Sequence, residues 1–163
     1  MFEAERPALE GQADFVSALS QLMTDWECPG TIDDALAVWT MIEPDAAVAA
    51  VVRNLRRAGV HCHLATNQEP FRARFMSATL GYAELFDREF YSCRMGMSKP
   101  SVDYFRTIMA ELGVDASQVL FIDDHQVNVS AARDMGIHAV VFAPGTGSAA
   151  LVEIVRSFGV AVV

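Results

Sequence analysis

The chain has 163 residues, 52% of them hydrophobic, and a formal net charge of −9. That length suits one domain with a real core, or a core with a small appendage, and that apolar content excludes a disordered chain. The acidic balance argues against nucleic acid as a partner, because phosphate backbones need clustered Lys and Arg, and it leaves any phosphate chemistry to a local metal and a few well-placed cations.

No apolar run reaches the length of a membrane span, so no membrane partner is expected. The start, Met1-Phe-Glu-Ala-Glu-Arg, lacks the basic and apolar regions of a signal peptide. The three cysteines, Cys28, Cys62 and Cys93, have no paired spacing, which is read as reduced thiols in a cytoplasmic protein.

Residues 1–45 read as helical. Phe15, Leu19, Leu22 and Met23 recur at helical spacing, as do Ala35, Leu36, Val38 and Trp39. Pro29-Gly30 separates the two sets, and Thr31 is a candidate N-cap with Asp33 and Asp34 in the first turn. From Glu43-Pro44-Asp45 onward, helices and strands alternate. Asp45 caps a helix with Val48, Val51, Val52 and Leu55 on one face, ended by Gly59. A strand is predicted over 60–65, a helix over 70–80, a short strand over 89–92 and a loop over 94–100. A helix follows over 102–112, then a strand over 119–122. A helix from about residue 128 stops at Gly136; a strand over 139–142 and a helix over 149–158 follow. This alternation predicts an α/β fold with a parallel sheet and right-handed crossovers.

Three sites fall at strand ends or before a helix. Asp123 and Asp124 follow an apolar strand, where open α/β sheets bind ligands. Two adjacent acids repel each other unless a cation holds them, and hard oxygen ligands of this kind suit Mg²⁺; helix capping is the simpler alternative. Thr66 and Asn67 follow the strand over 60–65 and can hold an anion's oxygens or cap the next helix. Lys99 precedes Pro100, which suits the first turn of a helix, and is by itself an ordinary solvated cation.

Taken together, Leu64-Ala-Thr-Asn67, Gly96-Met-Ser-Lys-Pro100 and the stretch from Phe121 to Ile137 resemble the second, third and fourth motifs of the haloacid dehalogenase (HAD) superfamily, in order and spacing. The resemblance implies a HAD-like Rossmannoid three-layer sandwich over 46–163. Residues 1–45 are then a partial helical cap like that of the phosphatase-like branch. It also implies a phosphatase of a small phosphorylated metabolite, a phosphate ester, acting through an aspartyl-phosphate intermediate. Thr66 and Asn67 would bind the phosphoryl group and Lys99 would offset its charge. Asp123 and Asp124 would hold Mg²⁺, with Asp124 the direct ligand. His125 stands where close relatives often carry Asn.

The family's first motif, a buried strand ending in Asp-x-Asp with nucleophile and general acid/base, has no counterpart in these residues. Its strand belongs mid-sheet, between the strands ending near Ala65 and Ile122. Two flanking strands would then face a gap with unpaired backbone, a route to self-association. Three explanations stand. The chain is a truncated, inactive fragment or starts at a wrong Met; the strand comes from another chain or from residues 160–163; or the chain is a non-catalytic binding or regulatory module. A haloacid dehalogenase is a further enzymatic alternative, and the paired acids favour metal use over it.

Other features are read as structural. His61 and His63 share a strand face but lack a third ligand. Cys62 is packing, and Cys93 beside Arg94 is a thiol of lowered pKa with no base. Trp26 and Trp39 are packing, and Arg53, Arg56 and Arg57 a solvated helix end.

Overall fold

The computed structural model describes residues 2–160. Three helices come first: α1 (Phe2–Leu9), α2 (Phe15–Asp25) and α3 (Ile32–Trp39). Asp14 heads α2 by accepting the Ser17 N–H at 2.8 Å. Thr31 heads α3 in a reciprocal capping box with Asp34, as its spacing predicts. Neither α2 nor α3 fully buries a residue. Trp26, expected to pack, is 68% exposed at the end of α2. Trp39 does pack, stacked on Phe15 at 5.2 Å between ring centroids.

The alternating part follows: α4 (Ala46–Arg57), β1 (His63–Thr66), α5 (Pro70–Arg74), α6 (Tyr82–Leu85), β2 (Arg88–Tyr91), α7 (Ser92–Met95), α8 (Val102–Leu112), β3 (Leu120–Asp123), α9 (Gln126–Asp134), β4 (His138–Val141) and α10 (Ser148–Ser157). Asp45 caps α4 through the N–H groups of Ala47 and Val48. The first strand is shorter than its apolar run, because β2 begins only at Arg88 and residues 60–62 have no strand opposite. The helix begun by α5 widens into a π-helical turn over Phe75–Thr79. The loop predicted over 94–100 starts as the single turn α7. Pro100 lies in the turn before α8; the cap is Ser101, whose hydroxyl accepts the Asp103 N–H at 3.2 Å.

The strands form two parallel pairs, β1 with β2 and β3 with β4. Two apolar layers cover them. On one face, α8 and α9 bring Tyr104, Phe105, Ile108, Val129 and Ala132 onto Phe90, Ala139, Ala65 and Phe121. On the other, Val51 and Leu55 of α4 and Leu151 and Val155 of α10 pack on Cys62, Leu120 and Ile122. Both pairs therefore belong to one three-layer α/β sandwich. Tyr104 is wholly buried, and its hydroxyl donates to the Phe90 carbonyl at 2.7 Å, which satisfies the polar atom that burial would strand.

Strand polarity locates the break in this sheet. Cys62 accepts the Asp87 N–H on the β2 side, so the alternating backbone of His63 and Ala65 faces away from β2. Val119 and Asp123 accept from His138 and Phe142 on the β4 side, so Leu120 and Ile122 turn their N–H and C=O groups away from β4. Among the described residues no strand pairs with either inner edge. This is the gap expected between the strands ending near Ala65 and Ile122. Residues 161–163, part of the segment considered as its filling, lie outside the described residues.

Candidate functional site

The carboxyl ends of β1 and β3 carry the site. The apolar runs 63–65 and 120–122 form strands, and the polar residues after them begin the turns into α5 and α9. Thr66 ends β1 and accepts a 3.3 Å hydrogen bond from Gln68 Nε2, leaving its hydroxyl hydrogen to donate. Asp123 ends β3, and Asp124 follows it.

Lys99 links the two ends. Its Nζ donates to Asp123 Oδ2 at 2.6 Å and to the Ala65 carbonyl at 2.8 Å, and it lies 5.4 Å from the Phe121 ring centre. The pair is desolvated: the side chains of Lys99 and Asp123 are 7% and 5% exposed. A lysine is seldom buried unless paired. Lys99 is also the only lysine in the chain, all other fixed cations being arginines. That sequence signal marks it out more sharply than its loop position does.

Asp123 is saturated with donors. Oδ2 takes Lys99, while Oδ1 takes the His125 N–H at 2.8 Å and Asn128 Nδ2 at 2.9 Å. Burial alone would raise its pKa. The Lys99 hydrogen bond and charge, with the His125 and Asn128 donors, outweigh burial and hold the carboxyl below the usual carboxylate range. Asn128, buried on α9, was not among the residues expected here; its place five residues after Asp123 puts it in the first turn of the helix, where its Nδ2 reaches the strand end. Asp124 stands differently. Its side chain is 47% exposed and its Oδ1 lies 2.8 Å from His125 Nδ1.

Asp123, Asp124 and His125 form the only group of three metal-type side chains within 4.8 Å of one another among the described residues. The donors test whether Mg²⁺ fits. Asp124 offers a solvent-facing carboxylate oxygen, the hard ligand that Mg²⁺ takes, while both Asp123 oxygens already have donors. The set suits Asp124 as the direct ligand, with Asp123 turned toward Lys99.

Asn67 sits beside Thr66 but points elsewhere. Its Oδ1 accepts the Lys99 N–H at 2.9 Å and its Nδ2 donates to the Lys99 carbonyl at 2.8 Å. Gln68 exchanges hydrogen bonds with the Ser92 hydroxyl. Glu69, 2% exposed, caps α5 through the N–H groups of Phe71 and Arg72 and accepts Trp39 Nε1 at 3.1 Å. Residues 67–69 thus tie the Lys99 loop, α7 and α3 to the end of β1.

Features read as structural are also placed. The rings of His61 and His63 stack 6.3 Å apart, and burial lowers the pKa of His63, whose Nδ1 has no hydrogen-bond partner among the described residues. The Cys93 thiol departs from expectation: burial raises its pKa more than Arg94 lowers it. Arg56 is no solvated helix end. It donates to Asp87 Oδ1 and to the carbonyls of Glu84 and Leu85, so it staples α4 to the turn before β2.

A model of the haloacid dehalogenase-like hydrolase family matches residues 2–136. A sesquiterpene phosphatase of Aspergillus oryzae is 30% identical over 97 residues, covering 59% of this chain and 49% of that protein. A flavin mononucleotide hydrolase of Arabidopsis thaliana is 34% identical over 53 residues, 32% of this chain and 22% of that protein. The chain thus spans half or less of each of these curated relatives. Among solved structures, a predicted HAD-like family hydrolase of Porphyromonas gingivalis superposes with a TM-score of 0.81 at 21% identity, covering 94% of this chain and 78% of that one. A HAD family enzyme of Bacteroides thetaiotaomicron, in complex with magnesium and inorganic phosphate, superposes with a TM-score of 0.75 at 18% identity over 89% of this chain and 77% of that one. At these identities the superpositions establish the fold.

Proposed function

Because the chain belongs to the haloacid dehalogenase-like hydrolases, we propose that it carries phosphoryl- and metal-binding groups of a Mg²⁺-dependent phosphatase for a small phosphate ester. The observation that carries this reading is the sole lysine, buried and paired with Asp123 where β1 and β3 end. A buried cation held at the mouth of a parallel sheet is preorganised to meet negative charge, at no reorganisation cost during reaction. The relatives named as a sesquiterpene phosphatase and a flavin mononucleotide hydrolase support a phosphate ester as substrate.

The contacts support the following roles. The Thr66 hydroxyl donates to a phosphoryl oxygen. Lys99 offsets the charge gathered on phosphate and nucleophile, drawing on the same Nζ that now holds Asp123 and the Ala65 carbonyl. Asp124 would hold Mg²⁺ through its exposed carboxylate, with Asp123 as its buried neighbour, and the ion would supply charge screening at the phosphoryl oxygens. The nucleophile belongs on a further strand seated between β1 and β3, and the open inner edges, covered by apolar layers on both faces, support that placement. Residues 1–45 act as part of a substrate-selecting cap.

The test supplies what the slot lacks. An apolar strand ending in Asp-x-Asp is joined by a flexible linker ahead of Met1, and hydrolysis of a broad panel of phosphate monoesters is followed with and without Mg²⁺. Turnover that needs both the added Asp and Mg²⁺ is expected; silence across the panel refutes the phosphatase reading. The closed Lys99–Asp123 pair favours a second reading, a non-catalytic binding module. It requires a cooperative melt of the chain as it stands, with a midpoint raised by Mg²⁺.

A further inference from the structure

Asn67 stands next to Thr66, where a polar side chain invites a ligand-binding role, yet the structure directs its carboxamide to another loop. Oδ1 accepts the Lys99 N–H at 2.9 Å, and Nδ2 donates to the Lys99 carbonyl at 2.8 Å. A single side chain thus grips both polar groups of one residue's main chain, 32 positions away in sequence. The other cross-links of this loop lie to the side of Lys99: Ser98 Oγ donates to Glu10 at 2.9 Å, and Ser101 caps α8.

We propose that Asn67 is a positioning residue: its two-point grip on the Lys99 main chain aims the one lysine of this chain between β1 and β3. The geometry favours this grip over a surface lysine free to sample rotamers. Lys99 carries a long flexible stem whose ordering costs entropy. Fixing its Cα from the end of β1 places Nζ on the Ala65 carbonyl of that same strand and on Asp123 across the gap. Glutamine in place of Asn67 would overshoot by one methylene. Aspartate keeps the acceptor for the Lys99 N–H and loses the donor to its carbonyl. Serine supplies neither span.

The inference rests on reading Lys99 as the cation that meets the phosphoryl group, but its test needs no phosphate ester, so it stands or falls apart from phosphatase activity. Because Lys99 is the only lysine, amine acetylation followed by mass spectrometry reads it directly, with the chain's α-amine as internal reference. In the unaltered protein, Lys99, 7% exposed, is labelled slowly. Loss of both hydrogen bonds in Asn67→Ala releases the amine and speeds labelling of Lys99, relative to the α-amine, by about tenfold or more. Asn67→Asp falls between. Ser101→Ala, which loosens the same loop without touching the grip, leaves the ratio within about twofold of the unaltered protein. An Asn67→Ala protein that folds and labels at the unaltered rate overturns the proposal, as does a Ser101→Ala protein that labels as fast as Asn67→Ala. If Asn67→Ala does not fold, amide hydrogen exchange in the unaltered chain decides: protection of the Lys99 N–H above that of the N–H of Glu43, an exposed residue outside helix and strand, supports the grip, and equal exchange overturns it.

Discussion

Replacing Lys99 with methionine isolates the central interaction. The substitution keeps most of the apolar stem and removes the charge that Asp123 faces at 2.6 Å. Both side chains are more than nine-tenths buried, so water cannot take over from the lost partner. Removing one member of such a pair costs about 3–5 kcal/mol, because an uncompensated charge stays buried. Asp123 keeps two neutral donors, the His125 N–H at 2.8 Å and Asn128 Nδ2 at 2.9 Å, which places the cost near the lower end, about 3 kcal/mol. Against a total stability of about 5–15 kcal/mol that is a large fraction. Urea unfolding at neutral pH reads it as a fall in midpoint at unchanged slope. The pH dependence supplies a second readout. In the unaltered protein the folded pKa of Asp123 is depressed, so its contribution is present above the unfolded carboxylate value and is lost as pH falls through the folded one. Without Lys99, burial dominates and the folded pKa rises. The deficit of Lys99→Met therefore shrinks as pH falls through about 4. A deficit under about 1 kcal/mol, the size of an exposed ion pair, or one that does not shrink in acid, refutes the assignment of a desolvated pair.

Further consequences follow elsewhere in the molecule. Asp87→Ala removes the carboxylate partner of Arg56 and the acceptor of the Cys62 N–H, while Arg56 keeps the Glu84 and Leu85 carbonyls, at a cost of about 2 kcal/mol in urea unfolding. Burial opposes Asp87 ionisation, but the Cys62 N–H and Arg56 hold its pKa below the ordinary value, so the penalty fades as pH drops through that depressed value. Gly11→Ala drives a Cβ into the Cys93 carbonyl oxygen at a backbone φ of +68°, and a thermal melt should show about 1–3 kcal/mol of lost stability. Trp39→Phe keeps an aromatic ring against Phe15 but strips an N–H donor from buried Glu69; chemical unfolding is expected to register about 1–2 kcal/mol. Asp124→Asn weakens Mg²⁺ binding about tenfold by calorimetric titration while leaving the melt within about 0.5 kcal/mol, since that carboxylate is half exposed.

Much of this molecule is written in short-range signals. Thr31 followed by Asp34, and Asp45 ahead of an apolar helical face, set helix starts through contacts within one turn, and those starts stand where their spacing puts them. The apolar runs ending at Thr66 and Asp123 become parallel strands with polar residues at their carboxyl ends. The order Thr66, Lys99, Asp123 is a linear pattern, and the family follows from it. Strand ends were less legible, since a strand extends only as far as its neighbour does.

What the residues hold could be decided only in three dimensions. Asn67 grips Lys99 across 32 positions, Lys99 reaches Asp123 across 24, and Ser98 meets Glu10 across 88. No spacing rule encodes such pairs; they exist because crossover helices fold back and bring separate strand ends and loops together. Hence Asn67 turns toward a main chain, Asp123 toward a lysine, and Asp124 toward solvent, though the first two look like ligands and the acids look like twins in sequence. Among the described residues, the same packing leaves β1 and β3 unpaired on their facing edges. By itself the sequence determined which chemical groups this protein brings to the strand ends, because local backbone physics orders them along each segment; only the tertiary structure decided which of those groups are already committed to one another, because that depends on burial and on contacts between distant segments.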